Sequence, residues 1–250
     1  MCTTLPIPRV RAVAGRKLSA NRILVVVLAV AVALAAVLIV VSVTGDDDKT
    51  ATPSTAVHGA ATVENLLAGI PQKRNVLGKA DAPVTIVEFA DLQCPACKAW
   101  ALDTFPAIVE EYVRPGKVKL VFNGMSFVGP DSLTALKTAA AAGEQNRLWN
   151  VVHLLYYNQG AENEGWVTED LLSSIGESVM GLDGNRMLDE RESQAVQEYL
   201  AAAQGQAQDA GAQVTPTFGV GRSNGQLTKL EGAVSADGFR QILDPLLAQK

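Results

Sequence analysis

The hydrophobic pattern divides the chain into an apolar N-terminal segment, a polar stretch and a long region of alternating strand and helix patterns. Residues 23–43 carry no charge and are almost all valine, alanine, leucine and isoleucine. At about 1.5 Å per residue, a helix of this length spans a bilayer core of about 30 Å. The pattern therefore predicts a transmembrane anchor.

The charges around this segment predict its orientation. Several basic residues lie within residues 1–22, and three aspartates follow at 46–48. The end richer in lysine and arginine normally stays in the cytoplasm. We therefore expect a single-pass protein of the cell membrane, with residues 1–22 cytoplasmic and the rest extracytoplasmic. A cleaved signal peptide is the alternative, although its apolar region is usually only about 7–15 residues long.

Residues 44–70 are rich in threonine, alanine, serine and aspartate and show no apolar periodicity. This composition predicts a flexible linker between the anchor and a folded domain.

The pattern that follows predicts a strand, a helix and a second strand. Residues 83–89 form a β-branched run typical of a buried strand. Apolar residues recur at helical spacing from Pro95 to Tyr112, and Pro106 is expected to interrupt that helix. Residues 117–122 alternate well enough to form the second strand. A helix between two strands favours parallel pairing.

Helical spacing dominates the next eighty or so residues and predicts about four helices, one of them capped by Thr168. Short strands are then predicted at 217–220 and 227–230, joined by a turn at Ser223-Asn224-Gly225. A final helix is predicted from residue 236 to about 248. The order of elements indicates an α/β fold.

Composition excludes one class of partner. The 250 residues carry a formal net charge of -5, and acidic and basic residues are interspersed. A nucleic-acid-binding surface would need a basic stripe, which this sequence lacks.

Two of the three cysteines, Cys94 and Cys97, lie three positions apart where the first strand gives way to its helix. Cys94 is therefore expected at a helix N-terminus, where free backbone N–H groups stabilise a thiolate, the nucleophile of disulfide exchange. Cys97 is expected one turn further in, as the resolving thiol. The pair predicts a redox-active dithiol that needs no cofactor beyond its own disulfide.

A zinc site or a static disulfide could also use this spacing. A closed zinc site needs two further ligands, and the chain offers only Cys2 across the membrane, His58 in the linker and His153 among the helices. No metal is therefore expected, and His153 is interpreted as a packing residue. A static bridge over so short a loop would stabilise the fold little.

The chain resembles the DsbA-like branch of the thioredoxin superfamily. Residues 81–89, followed by Cys94-Pro95-Ala96-Cys97, resemble the family's first strand and active site, and Val214-Thr215-Pro216-Thr217-Phe218 resembles its cis-proline loop. The resemblance covers residues 71–250. It implies a thioredoxin fold with a helical insertion at about 128–210.

The resemblance also implies roles for individual residues. Pro216 would follow a cis peptide bond, and Thr215 would lie beside the sulfurs, where both would contact the substrate chain together with Pro95 and Ala96. Glu88 occupies the position of a buried acid that relays the proton of the resolving cysteine. A surface glutamate at a strand edge is the alternative.

The function implied is that of a disulfide oxidase for exported proteins that contain cysteines, reoxidised by a quinone-linked membrane partner. The strongly oxidising members of the family have a histidine between the cysteines, whereas this chain has Pro95-Ala96. A reductase or isomerase on the same fold therefore stays open. So does a non-catalytic module that binds clients or senses redox state.

Overall fold

The structure is a computed structural model that describes residues 57–249. Within this range no helix combines the length and the apolar character needed to cross a bilayer. The predicted cytoplasmic segment 1–22, the predicted anchor 23–43 and the first part of the predicted linker lie outside the described residues.

A mixed sheet of six strands forms the centre of the fold, in the order β1-β2-β4-β3-β5-β6. The strands are β1 (Gln72–Lys73), β2 (Val76–Leu77), β3 (Val84–Asp91), β4 (Val118–Met125), β5 (Thr217–Arg222) and β6 (Thr228–Glu231). β3 pairs in parallel with β4 and antiparallel with β5. This central position explains why β3 reads as a nearly continuous apolar run, since both of its faces are covered.

Nine α-helices surround the sheet in the described part of the chain. They are α1 (Ala60–Leu67), α2 (Pro95–Asp103), α3 (Phe105–Ile108), α4 (Pro130–Glu144), α5 (Leu148–Tyr157), α6 (Glu169–Ser178), α7 (Gly184–Asp189), α8 (Gln194–Asp209) and α9 (Ala236–Ala248). The block from α4 to α8 thus contains five helices where the sequence predicts about four. Thr168 caps α6 as predicted, because its side chain accepts a hydrogen bond from the backbone N–H of Leu171.

The helix after β3 is interrupted near Pro106, as predicted. α2 ends at Asp103, α3 begins at Phe105, and residues 109–113 form a wider π-helical turn. Proline lacks the N–H that would continue the α2 ladder. The break leaves α2 as a short helix whose N-terminus carries the cysteine pair.

The predicted linker 44–70 is wrong at its C-terminal end, because α1 lies within it. Val63 and Leu67 sit four positions apart on one face of α1 and are buried in the core. Two hydrogen bonds hold the start of this segment. The His58 N–H donates to the Asn158 side-chain oxygen, and the Asn158 side-chain amide donates to the His58 carbonyl oxygen. Asn158 lies at the C-terminal end of α5, far along the chain, so the local composition does not reveal this contact.

Candidate redox site

The chain turns from β3 into α2 at Asp91, and this turn positions the first cysteine. The Cys94 N–H donates to the Asp91 carbonyl oxygen at 3.0 Å, and the Cys94 carbonyl accepts the first helical hydrogen bond from Lys98 at 3.1 Å. Cys94 is therefore the N-cap residue of α2, with extended backbone angles. Both cysteines are free thiols, and Cys97 is the more deeply buried.

The environment of Cys94 stabilises its thiolate. Hydrogen bonds from the Cys97 thiol, from the Thr215 side chain and from the backbone N–H groups of Cys97 and Ala96 outweigh partial burial and lower the pKa of Cys94 to about 6. When protonated, the Cys94 thiol donates to the Thr215 carbonyl oxygen at 3.4 Å. Cys94 is thus largely ionised at pH 7, while the sequence alone could indicate only the helix N-terminus.

Cys97 has the opposite character. Burial raises its pKa far above the usual value for a thiol, and the negative charges of Cys94 and Glu88 raise it further. The Cys97 thiol therefore keeps its proton and donates it in a hydrogen bond to the Cys94 sulfur. The site therefore holds one nucleophilic thiolate, Cys94, and one protonated thiol, Cys97.

Glu88 lies on β3, paired with Phe122 of β4 and Phe218 of β5, and is buried. The alternative of a surface glutamate is therefore wrong. Desolvation raises the pKa of Glu88 to about 8, and its Oε1 atom has no hydrogen-bond partner among residues 57–249.

The second loop of the site carries the other residues expected to contact the substrate. The Thr215–Pro216 peptide bond is cis, as the resemblance implies. Thr215 contacts Cys94 through its carbonyl oxygen and its side chain. Pro95 and Ala96 are exposed at the start of α2. The structure thus places the two cysteines and the cis-proline loop in contact beyond the C-terminal end of β3, with Glu88 within that strand and close enough to Cys97 for its charge to act on the thiol.

Asp91 is a part of this site that the sequence analysis missed. Its buried carboxylate accepts hydrogen bonds from the Gln93 N–H (2.9 Å) and the Ser132 hydroxyl (2.6 Å) on Oδ1, and from the Phe127 N–H (3.0 Å) and the Val128 N–H (3.1 Å) on Oδ2. It joins the redox loop to the loop after β4 and to α4. The only sequence signal was an acid at the end of a buried strand.

Two glutamines add further connections between the redox loop and the helical insertion. The Gln159 side-chain amide donates to the carbonyls of Leu92 (2.8 Å) and Cys94 (3.2 Å). The Gln93 side-chain oxygen accepts from the Asn163 N–H at 2.7 Å. The backbone on both sides of the first cysteine is therefore held by the segment that follows α5.

His153 is a packing residue, as interpreted from the sequence. Its ring lies 3.8 Å from the Phe105 ring, and burial lowers its pKa to about 3, so it is neutral. Within the described part of the chain, no group of three histidine, cysteine or acidic residues could hold a metal ion.

Comparisons with known proteins agree with this geometry. A family model described as Thioredoxin matches residues 72–245. The probable disulfide bond formation protein D of Bacillus cereus is 37% identical over 158 residues, which cover 60% of this chain and 70% of that protein. Disulfide bond formation protein D of Bacillus subtilis is 30% identical over 178 residues, covering 69% of this chain and 75% of that protein.

Solved structures show the same fold. Oxidised BdbD from Bacillus subtilis matches with a TM-score of 0.62 and 26% identity, over 71% of this chain and 97% of that one. Alpha-DsbA1 from Wolbachia pipientis matches in fold with a TM-score of 0.61 and 19% identity, over 75% of this chain and 96% of that one. The chain therefore belongs to the thioredoxin family, in its DsbA-like branch, and is a thiol-disulfide oxidoreductase.

Proposed function

We propose that this protein is an oxidase that passes a Cys94–Cys97 disulfide to exported proteins while anchored to the outer face of the cell membrane. The proposal is carried by the position of Cys94 as the N-cap residue of α2 beside the cis-proline loop, where hydrogen bonds to its sulfur lower its pKa to about 6. A stabilised thiolate favours the reduced form of the pair, and a pair that favours its reduced form is a strong oxidant of other thiols. The relatives named disulfide bond formation proteins support this direction.

The reaction runs in two exchanges. A client thiolate attacks the Cys94 sulfur of the disulfide, the Cys94–Cys97 bond breaks, and Cys97 leaves with the electron pair. A second client thiolate then attacks the client sulfur of the mixed disulfide and releases Cys94 as a thiolate. The client loses two electrons and gains a disulfide, and the enzyme pair is reduced.

Glu88 is proposed to supply the proton that Cys97 takes up as it leaves. The Cys97 thiolate would be unstable in its buried position, since burial and neighbouring charge both raise the pKa of this thiol. A carboxyl group with a pKa of about 8 is mostly protonated at pH 7. This pKa is close enough to neutral pH for the group both to give up a proton and to take one back. Its role is that of a proton relay next to the sulfur pair.

Thr215, Pro216, Pro95 and Ala96 are proposed to contact the client. The cis-proline loop lies against Cys94, and the two residues between the cysteines are exposed. A client chain can therefore approach the sulfur between these two segments. No cofactor is needed, because the electrons pass only between sulfur atoms.

The apolar segment 23–43 is proposed to hold the domain at the membrane. An oxidase must return its two electrons to an acceptor after each cycle, and a quinone-linked membrane protein is the proposed acceptor. Fractionation of cells that express the full chain tests the anchor. We expect an alkali-resistant membrane protein that retains its N-terminus, whereas a released protein that begins after residue 43 would identify a signal peptide.

The reduction potential of the pair tests the direction of transfer. We expect equilibration with glutathione to give a value well above about -270 mV, the potential of thioredoxin. A value at or below this figure would identify a reductase. Cys94→Ser and Cys97→Ser should each abolish the oxidation of a dithiol peptide with the fold intact, and unchanged client handling in both would indicate a binding module.

A further inference from the structure

Tyr156 on α5 is a fully buried tyrosine whose hydroxyl is poorly bonded in the dithiol site. Its ring packs edge-to-face on His153. Within the described part of the chain, its only side-chain hydrogen bond is a donation to the Asp91 carbonyl oxygen at 3.5 Å, the limit of such a bond. The same carbonyl accepts the Cys94 N–H at 3.0 Å. Burying a hydroxyl is unfavourable unless a good hydrogen bond compensates, so a phenylalanine would fill this space at a lower cost.

The hydroxyl lies close to the sulfur that leaves in the exchange reaction. Asp91 connects the two groups, because its carbonyl oxygen accepts from Tyr156 and its N–H donates to the Cys97 sulfur. Burial raises the pKa of Tyr156 well above that of an ordinary phenol, and the charge of Cys97 raises it more than those of Glu88 and Cys94. The phenol therefore keeps its proton and can offer it in a hydrogen bond.

Cys97 needs hydrogen-bond donors at the moment it becomes a thiolate. Its side chain is 0% exposed, so solvent does not stabilise the charge, and a buried anion is costly unless it is hydrogen-bonded. The Asp91 N–H supplies one donor. The hydrogen of a phenol turns about the bond between ring and oxygen. The Tyr156 hydroxyl can therefore turn from the Asp91 carbonyl towards the sulfur while its ring stays in place.

We propose that the Tyr156 hydroxyl donates a hydrogen bond to the Cys97 sulfur as Cys97 leaves. In that step a client thiolate attacks Cys94, the Cys94–Cys97 bond breaks, and its electron pair stays on the Cys97 sulfur. The phenol proton remains on Tyr156, and Glu88 then supplies the proton that neutralises Cys97, as proposed above. The inference rests on the exchange steps of the proposed function. It holds for either direction of electron transfer, since Cys97 attacks as a thiolate in the reverse step.

Tyr156→Phe removes the hydroxyl and keeps the ring, and two reactions separate its role from a structural one. In the first, glutathione attacks the oxidised full chain, and Cys97 is the leaving group. In the second, the same variant also carries Cys97→Ala and holds glutathione on Cys94, and added glutathione releases Cys94 with no part played by residue 97. Acid quenching and mass spectrometry measure both initial rates.

Tyr157→Phe is the matched control. It removes a hydroxyl from the next residue of α5, whose ring lies against Gly59 at the start of α1. A general effect of losing a tyrosine hydroxyl on this helix would therefore appear in both variants, whereas an effect on the leaving sulfur would appear only in Tyr156→Phe.

We expect Tyr156→Phe to slow the first reaction by about tenfold, the effect of losing one hydrogen bond to a charged group, and to leave the second unchanged. Tyr157→Phe should change neither. A wild-type rate in the first reaction would overturn the proposal. So would equal slowing of both reactions, because it would indicate a displaced redox loop.

The titration of Cys94 provides a second readout. The hydroxyl is proposed to act on the leaving sulfur, so the ultraviolet absorbance of the Cys94 thiolate in the reduced protein should follow the same pH curve in Tyr156→Phe and wild type. A shift of that curve large enough to account for the slower reaction would also overturn the proposal, since Tyr156 would then act through the nucleophile.

Failure of the proposed function can be told apart from failure of this inference. A wild type that forms no mixed disulfide with glutathione would refute the exchange chemistry and the role of Tyr156 together. A reactive wild type matched by Tyr156→Phe would refute the role of Tyr156 alone. A reduction potential that identifies a reductase would leave the expected tenfold difference unchanged.

Discussion

Cys94 and Cys97 lie one helical turn apart, yet their surroundings shift their pKa values in opposite directions. Cys94 is the N-cap residue and receives hydrogen bonds from Cys97, Thr215 and two backbone N–H groups. Cys97 lies deeper, where burial and the charges of Cys94 and Glu88 oppose its ionisation. Cys94 is therefore the sulfur that exchanges with clients. It is the more accessible of the two sulfurs, and it is the one whose thiolate the surroundings stabilise.

Thr215 is expected to contribute measurably to this asymmetry. Thr215→Ala removes a side-chain hydrogen bond to the Cys94 thiolate, and the loss of about 1 kcal/mol weakens the acid dissociation of Cys94 roughly fivefold. Ultraviolet absorbance of the thiolate, followed against pH in the reduced protein, measures the change. Thr215→Ser keeps the hydroxyl and should titrate like the wild type. Identical curves for the alanine variant would remove Thr215 from this role.

Glu88 should make the folded state less stable as the pH rises. Its pKa is about 8 in the folded protein and near 4.5 when unfolded, so between these values the unfolded state has lost a proton that the folded state keeps. The free energy of unfolding should therefore fall by about 1.4 kcal/mol per pH unit and level off above pH 8. The range from 7 to 8 shows this effect best, because His153, with an unfolded pKa of 6.5, is mostly neutral in both states there.

Urea unfolding of the oxidised protein tests this expectation, since the thiols then do not titrate. Glu88→Gln cannot ionise, so its stability should stay level over the same range and exceed that of the wild type by about 3 kcal/mol near pH 7. Parallel slopes for the two proteins would mean that another group is responsible. The same variant should slow the release of Cys97 during mixed-disulfide formation.

At the scale of elements, β3 supplies two acidic residues to the site, and each has a different role. Glu88 contributes the buried acid, and Asp91 at the end of the strand accepts the N–H of Cys94 through its carbonyl. The parallel pairing of β3 with β4 brings their C-terminal ends to the same edge. The loop that begins after Met125 can therefore hydrogen-bond to the Asp91 carboxylate.

Removing the Asp91 carboxylate should lower the stability of the protein, because it disconnects the redox loop from the loop after β4 and from α4. Asp91→Ala leaves the N–H groups of Phe127 and Val128 and the Ser132 hydroxyl without their acceptor, at a cost of at least about 3 kcal/mol. Ser132→Ala is the matched control, because it removes one donor and should cost about 1 kcal/mol. Chemical denaturation measures both. Equal losses would show that the network does not act as a unit.

The sequence predicted the redox loop well because the signals are local. The spacing of Cys94 and Cys97 fixes them on one helical turn, and the break near Pro106 follows from the missing N–H. The contacts of Asp91 with Phe127 and of Gln159 with Cys94 could not be predicted, because they span 36 and 65 positions. Helix α1 was missed for the same reason, since its burial depends on elements distant in the chain.

At the scale of the whole molecule, the helical insertion does more than enlarge the fold. The segment after α5 holds the backbone of the redox loop through Gln159 and Asn163, and α4 joins it through Ser132. The insertion therefore supports the loop that carries the reactive sulfur.

The proposed anchor links this catalytic domain to electron flow in the membrane, and the redox state of the pair in living cells tests that link. Each turnover leaves two electrons on Cys94 and Cys97, so the steady state depends on how fast an acceptor removes them. Rapid acid quenching followed by alkylation of free thiols should find the pair mainly oxidised in growing cells and mainly reduced after quinone depletion. A pair that stays reduced in quinone-replete cells would instead indicate a reductase, supplied with electrons from the other direction.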